Sequence, residues 1–312
     1  MNISLKRPVK NSNEFVSVII CTHNRRHLLE RALNALAAQS APFDMFETLV
    51  VDDGSNDGAG MICEEMAKRL PNLRLLTLAR NTGKSNAANI GVKSATGDFL
   101  VFTDDDCLPH RDWIKNMTRA LHLFPVVAGA VSAPDSGYVS LCHNISEFHP
   151  FIPGGKSKKA CFIAGANMGI RRAVWEEAGK FEKNRALCFD MEFILRIRSK
   201  GYEPRFVSDA VVSHDHDRKT FKSIFQYAVR HASETILLRH KYSSLLNTPF
   251  ILKSPFLLIL TSPVIAFKTT LEIYLKNFKL MKWTHAMPTV YFLKMAWALG
   301  AARGLSHVKT KK

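Results

Sequence analysis

The sequence predicts an α/β fold, a mostly parallel sheet flanked by helices, followed by a basic and apolar helical region. Three observations predict it. Short β-branched and aromatic runs alternate with stretches of helical periodicity from Val16 to Leu123, the pattern of βαβ units with right-handed crossovers. Each of the first four runs ends in a polar cluster, and open α/β sheets bind ligands beyond the carboxyl ends of their strands. The composition then changes: from Lys241 onward there are eleven Lys or Arg against one acid, Glu272.

The elements follow in order. Val16-Ser17-Val18-Ile19-Ile20-Cys21 is the first strand. Thr22-His23-Asn24 breaks it with capping side chains, and Leu28, Leu29, Leu33 and Leu36 mark a helix over Arg25 to Gln39. Phe46 to Val51 is the second strand, ending at Asp52-Asp53-Gly54-Ser55, with a helix from Asp57 to Leu70. Leu73 to Leu78 is the third, ending at Arg80-Asn81-Thr82-Gly83-Lys84, with a helix from Ser85 to Ser94. The fourth, Asp98-Phe99-Leu100-Val101-Phe102-Thr103, runs into Asp104-Asp105-Asp106. A helix over Pro109 to Leu123 starts with Pro in a favoured first-turn position.

The middle is less regular. Ser132 to Lys159, with its Pro, Gly and clustered Lys, reads as mostly loop. Phe162 to Ile170 is strand-like and leads into a helix containing Trp175. A helix over Phe189 to Lys200 ends with Gly201 as its C-terminal stop. Two short strands, Pro204 to Val207 and Ala210 to Val212, end at His214-Asp215-His216-Asp217.

Asp104-Asp105-Asp106 carries the most chemistry. A two-residue strand period turns Asp104 and Asp106 to one side and Asp105 to the other. Two carboxylates that close resist losing water unless a cation lies between them, and a hard divalent cation takes such oxygen ligands. The alternative is a solvated acidic loop, but four strand ends that deliver polar groups to one edge favour a ligand site. Asp106 is the expected direct ligand, and Asp105 the carboxylate expected to tolerate Asn. A dehydrogenase is disfavoured by the lack of G-x-G-x-x-G after any strand. A sugar nucleotidyltransferase wants a Gly-rich phosphate loop, and Cys21-Thr22-His23-Asn24 offers no glycine.

The 312 residues carry a net charge of +16, of which the stretch from Lys241 onward supplies +10. A hydrophobic content of 46% suffices for a sizeable core, and a mean hydropathy of −0.05 argues against a polytopic membrane protein. The basic region suits a polyanionic neighbour, and without a nucleic-acid motif the membrane surface is preferred. Ser254 to Phe267 is shorter than the roughly 20 residues of a spanning helix and contains Pro263. Met287 to Ala302 contains Lys294. Flanking lysines with Trp283 and Trp297 predict interfacial or re-entrant attachment to an anionic leaflet, the alternative being a helical subdomain packed on the core. Six scattered cysteines without a C-x-x-C pair fit a reducing cytosol. Met1 to Glu14 lacks the apolar core of a signal peptide.

The motifs, taken together, resemble family 2 glycosyltransferases of the GT-A fold from about Val16 to His214. Val18-Ile19-Ile20-Cys21-Thr22-His23-Asn24-Arg25 resembles the opening strand motif, with Cys-Thr-His-Asn where Pro-Thr-Tyr-Asn is usual. Val50-Val51-Asp52-Asp53-Gly54-Ser55 resembles the uracil-contacting motif, and Asn81 to Asn89 the phosphate-side segment. Asp104-Asp105-Asp106 stands at the metal-binding Asp-x-Asp, and Gly165-Ala166-Asn167-Met168 at the acceptor-side Gly-x-Asn.

The resemblance implies a metal-dependent, inverting transfer from a nucleotide sugar, with UDP expected, to a glycan or lipid-linked acceptor. Thr22 and Asp53, with Asp52 as the alternative, would hold uracil and ribose, assisted by Asn24, Arg25, Asn81, Gly83 and Asp105. Lys84 would lie near the diphosphate or base, or is an exposed residue at a helix start. Asp104 and Asp106 would hold Mg2+ or Mn2+, with His214 completing the shell or standing as an ordinary strand-end histidine; His216 is expected at the surface. Aligning Leu195-Arg196 with the family pattern puts Asp190 at the catalytic base and Phe189 where Glu is usual, with Glu192 the fallback base and Asn167 on the acceptor side. Lys156 to Lys159 would meet a lipid phosphate or form an ordinary solvated loop.

The implied organisation is a tail at 1–15, a donor half at 16–131, an acceptor half at 132–217 and a basic, membrane-associating region at 218–312 on the cytoplasmic face. The non-enzyme alternative is an inactive nucleotide-sugar-binding scaffold at the membrane.

Overall fold

The structure, a computed structural model, describes residues 15–133, 137–155, 157–183, 185 and 187–309; the expected tail thus lies almost wholly outside the described residues. Strands Val16–Thr22 (β1) and Phe46–Asp52 (β2) are buried along nearly their whole length, which is why they read as continuous apolar runs. Leu73–Thr77 (β3) pairs in parallel with β2, and Phe99–Asp104 (β4) in parallel with β1. Helices Arg26–Ala37 (α1), Ala59–Met66 (α2) and Lys84–Ser94 (α3) return the chain between them.

The second half departs from a purely parallel sheet. After Cys107–Pro109 (β5), Trp113–Leu123 (α4), Val126–Ser132 (β6), Tyr138–Phe148 (α5) and Lys158–Lys159 (β7), strand Asn167–Arg171 (β8) inserts antiparallel between β4 and β6. Helices Arg172–Ala178 (α6) and Phe189–Ser199 (α7) precede Arg205–His214 (β9), which lies parallel to β6. The sheet order is β3-β2-β1-β4-β8-β6-β9-β5, with β7 on β9. It is therefore mixed.

Several expectations are corrected. Pro109 ends β5 rather than starting a helix; β5 is an edge strand, where a residue without an N–H costs no ladder bond. Ser132 to Lys159 holds helix α5, whose Cys142 and Ile145 pack with Ile224, Tyr274 and Val290; the Pro and Gly at its flanks masked a helical spacing. Pro134 and Lys156 lie outside the described residues. The two short strands after Pro204 are one ten-residue strand, β9, whose register against β6 shifts between Ala128 and Ala130.

Helices Phe221–Lys241 (α8), Ser243–Leu246 (α9), Pro255–Lys276 (α10) and Met287–Lys309 (α11) complete the fold. Pro263 does not interrupt the apolar run, since α10 continues through it for 22 residues. Proline removes the N–H that would bond Ile259 O, and the Ser262 hydroxyl donates to that carbonyl instead at 2.8 Å.

Asn167 is also corrected. It is 1% exposed and faces the sheet interior rather than an acceptor. Its amide donates to Ala130 O and Ala210 O, each at 2.8 Å, and its Oδ1 accepts from Trp113 Nε1 at 2.9 Å. One side chain therefore stitches β6, β8, β9 and α4. Asn167→Leu, which strands two buried carbonyls and an indole N–H, should cost about 2–4 kcal/mol. The urea midpoint will show it, with nucleotide affinity of the folded protein unchanged.

Candidate active site

The expected polar strand ends converge. Asp53 N donates to Thr22 O at 2.9 Å, and the Asp53 carboxylate latches the loop after β3. It accepts from Thr82 N and Thr82 Oγ1, each at 2.8 Å, and from Gly83 N at 2.8 Å. Asp52 Oδ1 accepts from Ser55 N at 3.0 Å, while its Oδ2 takes no hydrogen bond among the described residues. Asp53 therefore shapes the loop, and Asp52 is the carboxylate with an oxygen to offer. Gly54 makes the approach possible: its φ is +75°, and an added Cβ would sit 2.6–2.8 Å from the backbone of Arg80 and Asn81.

The flanking loop residues are engaged likewise. Asn24, with φ 51°, accepts from Asn56 N at 2.9 Å and donates its backbone N–H to Ser55 Oγ at 2.9 Å. Asn81 Oδ1 accepts from Gly83 N at 3.0 Å. Asn24 thus ties the loop after β1 to that after β2, Asp53 ties β2 to the loop after β3, and Asn81 braces that last loop internally.

The aspartate triplet corrects the expected alternation. β4 ends at Asp104, and Asp105-Asp106 form a turn, so the strand period does not extend to them. Arg25 grips both, NH1 to Asp105 Oδ1 and NH2 to Asp106 Oδ2, each at 2.6 Å. Asp105 also accepts from Thr22 Oγ1 at 2.8 Å and is 2% exposed, so the expected tolerance to Asn loses its geometric basis. Lys84 Nζ lies 2.6 Å from Asp104 Oδ1. Desolvation by the surrounding site opposes the Lys84 ammonium, but adjacent Asp104 outweighs it and holds the charge on. Burial pushes the Asp105 carboxyl up to about 7, against the pull of Arg25.

His214 faces the triplet from the end of β9, Nε2 lying 3.6 Å from Asp106 Oδ1 with both residues buried. Its orientation is set by Asn144 on α5. The Asn144 amide nitrogen donates to His214 O at 2.9 Å, so its Oδ1 is the atom that accepts from His214 Nδ1 at 2.7 Å. The ring proton is on Nδ1, and the bare Nε2 faces a carboxylate oxygen. Burial lowers the His214 pKa, so the ring is neutral at neutral pH. Burial opposes the Asp106 carboxylate, a charged His214 would favour it, and the Arg25 guanidinium favours it whichever form His214 takes. Two lone pairs aimed at each other in a buried site form a donor set that fits a divalent cation. Cys107, in the same group, stays a thiol because burial raises its pKa well above the ordinary value.

Asp190 sits in the first turn of α7, half-buried, its Oδ2 accepting from Gly165 N at 2.7 Å and its Oδ1 from Met191 N at 2.8 Å. The neighbouring Ala166 O accepts from Thr103 Oγ1 at 3.0 Å, one residue before Asp104. Asp190 is thereby fixed to the same end of the sheet as the triplet. Glu192 is corrected: it is 3% exposed and turned away by the helical period, accepting from Arg196 NH2 at 3.1 Å and Tyr242 Oη at 3.0 Å. His216 is corrected too, being 0% exposed, and burial drives its pKa down to about 3.

Comparison with known proteins agrees with this arrangement. The family model "Glycosyl transferase family 2" matches residues 17–179, and "Glycosyl transferase family group 2" matches residues 104–300. The chain belongs to glycosyl transferase family 2. Among its relatives, Glycosyltransferase AglE of Haloferax volcanii is 29% identical over 64% of this chain and 66% of its own length. Probable glycosyltransferase YdaM of Bacillus subtilis is 28% identical over 70% of this chain and 54% of its own length. The match thus spans two thirds or less of each of these relatives. The mannosyltransferase PcManGT of Pyrobaculum calidifontis, solved with GDP-Man and Mn2+, superposes with a TM-score of 0.60 at 20% identity, over 98% of this chain and 77% of its own. TarS 1-349 of S. aureus, solved with UDP-GlcNAc, gives 0.55 at 15% identity over 96% and 92%. The GT-A fold expected from the sequence is the fold observed.

Sequence reasoning missed Asn144, because it lies in the segment read as loop. Val139, Cys142 and Ile145 at helical spacing were the signal that could have found it. Asn144→Leu leaves His214 free to change tautomer and should weaken Mn2+ binding by about 10–100-fold, read by titration calorimetry on the folded variant.

Proposed function

We propose that the chain is a metal-dependent, inverting glycosyltransferase that moves a sugar from a nucleotide sugar, a UDP-sugar first, to a hydroxyl of a membrane-borne glycan or lipid-linked acceptor. The observation that carries the reading is the bare His214 Nε2 facing Asp106 Oδ1, in an aspartate triplet whose members are paired with Arg25 and Lys84. Asp104, Asp106 and His214 would hold Mg2+ or Mn2+, which supplies Lewis-acid stabilisation of charge on the leaving nucleoside diphosphate.

The protein's own groups do the rest. Asp52 and Thr22 face the nucleoside side, with the loop that Asp53 holds forming its wall. Lys84 exchanges its pairing with Asp104 for the donor's phosphates, from a side chain that is 41% exposed. Asp190, oriented by two backbone N–H groups, takes the acceptor hydroxyl's proton as that oxygen attacks the sugar carbon opposite the leaving group. Asp190→Asn should lower kcat by about 10²–10⁴-fold while a thermal-shift response to UDP with Mn2+ persists. EDTA should remove both. A screen of nucleoside diphosphates that gives a larger shift with GDP would reassign the base.

Membrane attachment is supported by α10. Phe256, Leu260, Val264, Phe267 and Leu275 recur on one face at 60–73% exposure, while Leu258, Ser262, Ala266, Thr270 and Tyr274 opposite are buried. A helix packed on one side and apolar on the other suits insertion along the leaflet plane, with Lys253, Lys268 and Lys276 at the headgroups. By length and apolarity alone it could also cross a membrane. Val264→Glu with Phe267→Glu should abolish cosedimentation with phosphatidylglycerol vesicles and leave the nucleotide response intact.

A further inference from the structure

A cavity of about 180 Å³ lies between α5, the turn around Pro153 and the 3-10 segment Phe278–Ala286. Its walls combine two kinds of group. Ile145, Ile152 and Trp283 are apolar, and Lys279 and Lys282 are basic. Among the described residues neither ammonium lies within 4.0 Å of a carboxylate; Lys282 instead sits 4.1 Å from the Trp283 ring centroid. Lys279 is seated closely: Gly154 has φ +92°, and a Cβ added there would overlap the Lys279 ammonium. Asn144 lines the same cavity and is the residue that orients His214. The segment that carries both lysines also exposes Phe278 at 78% and Met281 at 47%, and follows α10 directly in the chain.

We propose that this cavity receives the phosphate head of an amphipathic acceptor, with its apolar chain leaving toward Phe278 and α10. The size decides for a head group, since pockets that enclose whole drug-sized ligands run to about 300–1,000 Å³. Two unpaired ammonium groups are a suitable point-charge site for phosphate, and the adjoining apolar walls select an ester carrying a hydrocarbon chain over free phosphate. The shared wall at Asn144 puts such a head beside the transfer site. This assignment rests on the transferase reading above, and it deepens that reading by naming the acceptor's chemistry.

The test is calorimetric titration of the full chain with hexyl phosphate, hexanol and inorganic phosphate, each with and without UDP and Mn2+. The expected result is binding of hexyl phosphate that UDP does not displace, at least tenfold weaker binding of inorganic phosphate, and none of hexanol. Lys279→Gln with Lys282→Gln, both exposed changes that should fold, should weaken hexyl phosphate at least tenfold and leave the UDP–Mn2+ thermal shift unchanged. Equal affinity in the double variant, displacement by UDP, or no binding overturns the site. Inorganic phosphate binding as tightly as hexyl phosphate overturns the lipid assignment. Loss of the UDP–Mn2+ response alone would strike the transferase reading and not the cavity.

Discussion

The grip of Arg25 on Asp105 and Asp106 is the interaction on which the site depends. Three consecutive carboxylates at the end of a buried strand repel one another and lose hydration. A guanidinium forks across two of them, and Lys84 takes the third. With those charges offset, the chain can turn sharply after β4 and present Asp106 to His214. The clamp also explains why β1 must lie beside β4: Arg25 follows β1 directly, and the parallel register pairs Cys21 with Asp104. Sheet order and site electrostatics are one constraint.

The first half of the sheet was legible because its signals are local. Strand runs, polar strand ends and helix spacings all fall within windows of a few residues, and the structure reproduces them to within a few positions. What escaped was set by contacts distant in sequence. The two-residue period failed at Asp105 because Arg25, 80 residues earlier, closes the turn. Asn167 reads as an acceptor-side residue because Gly165-Ala166-Asn167 resembles the family's Gly-x-Asn; three partners from β6, α4 and β9 make it a core hydrogen-bonding post. Helix α5 was hidden by the Pro and Gly around it. Pro263 misled in the opposite direction, since Ser262 supplies the bond that proline removes.

The C-terminal helices are legible only in part for a related reason. Composition announced an apolar and basic region, but not which face of each helix meets the body. Packing settles that: α11 lies against both α8 and α10, which leaves a single outward stripe on α10.

Asn144 gives this arrangement a wider meaning. It stands on α5, whose Cys142 and Ile145 belong to the same apolar cluster as residues of α8, α10 and α11. The tail is thus no detachable anchor hung on a self-sufficient catalyst. A chain cut after β9 would keep Asp104, Asp105, Asp106, Asp190 and His214 itself, yet lose the packing that holds α5, and with it the hydrogen bond that decides which nitrogen of the imidazole is bare. Whatever seats the tail also tunes the ring.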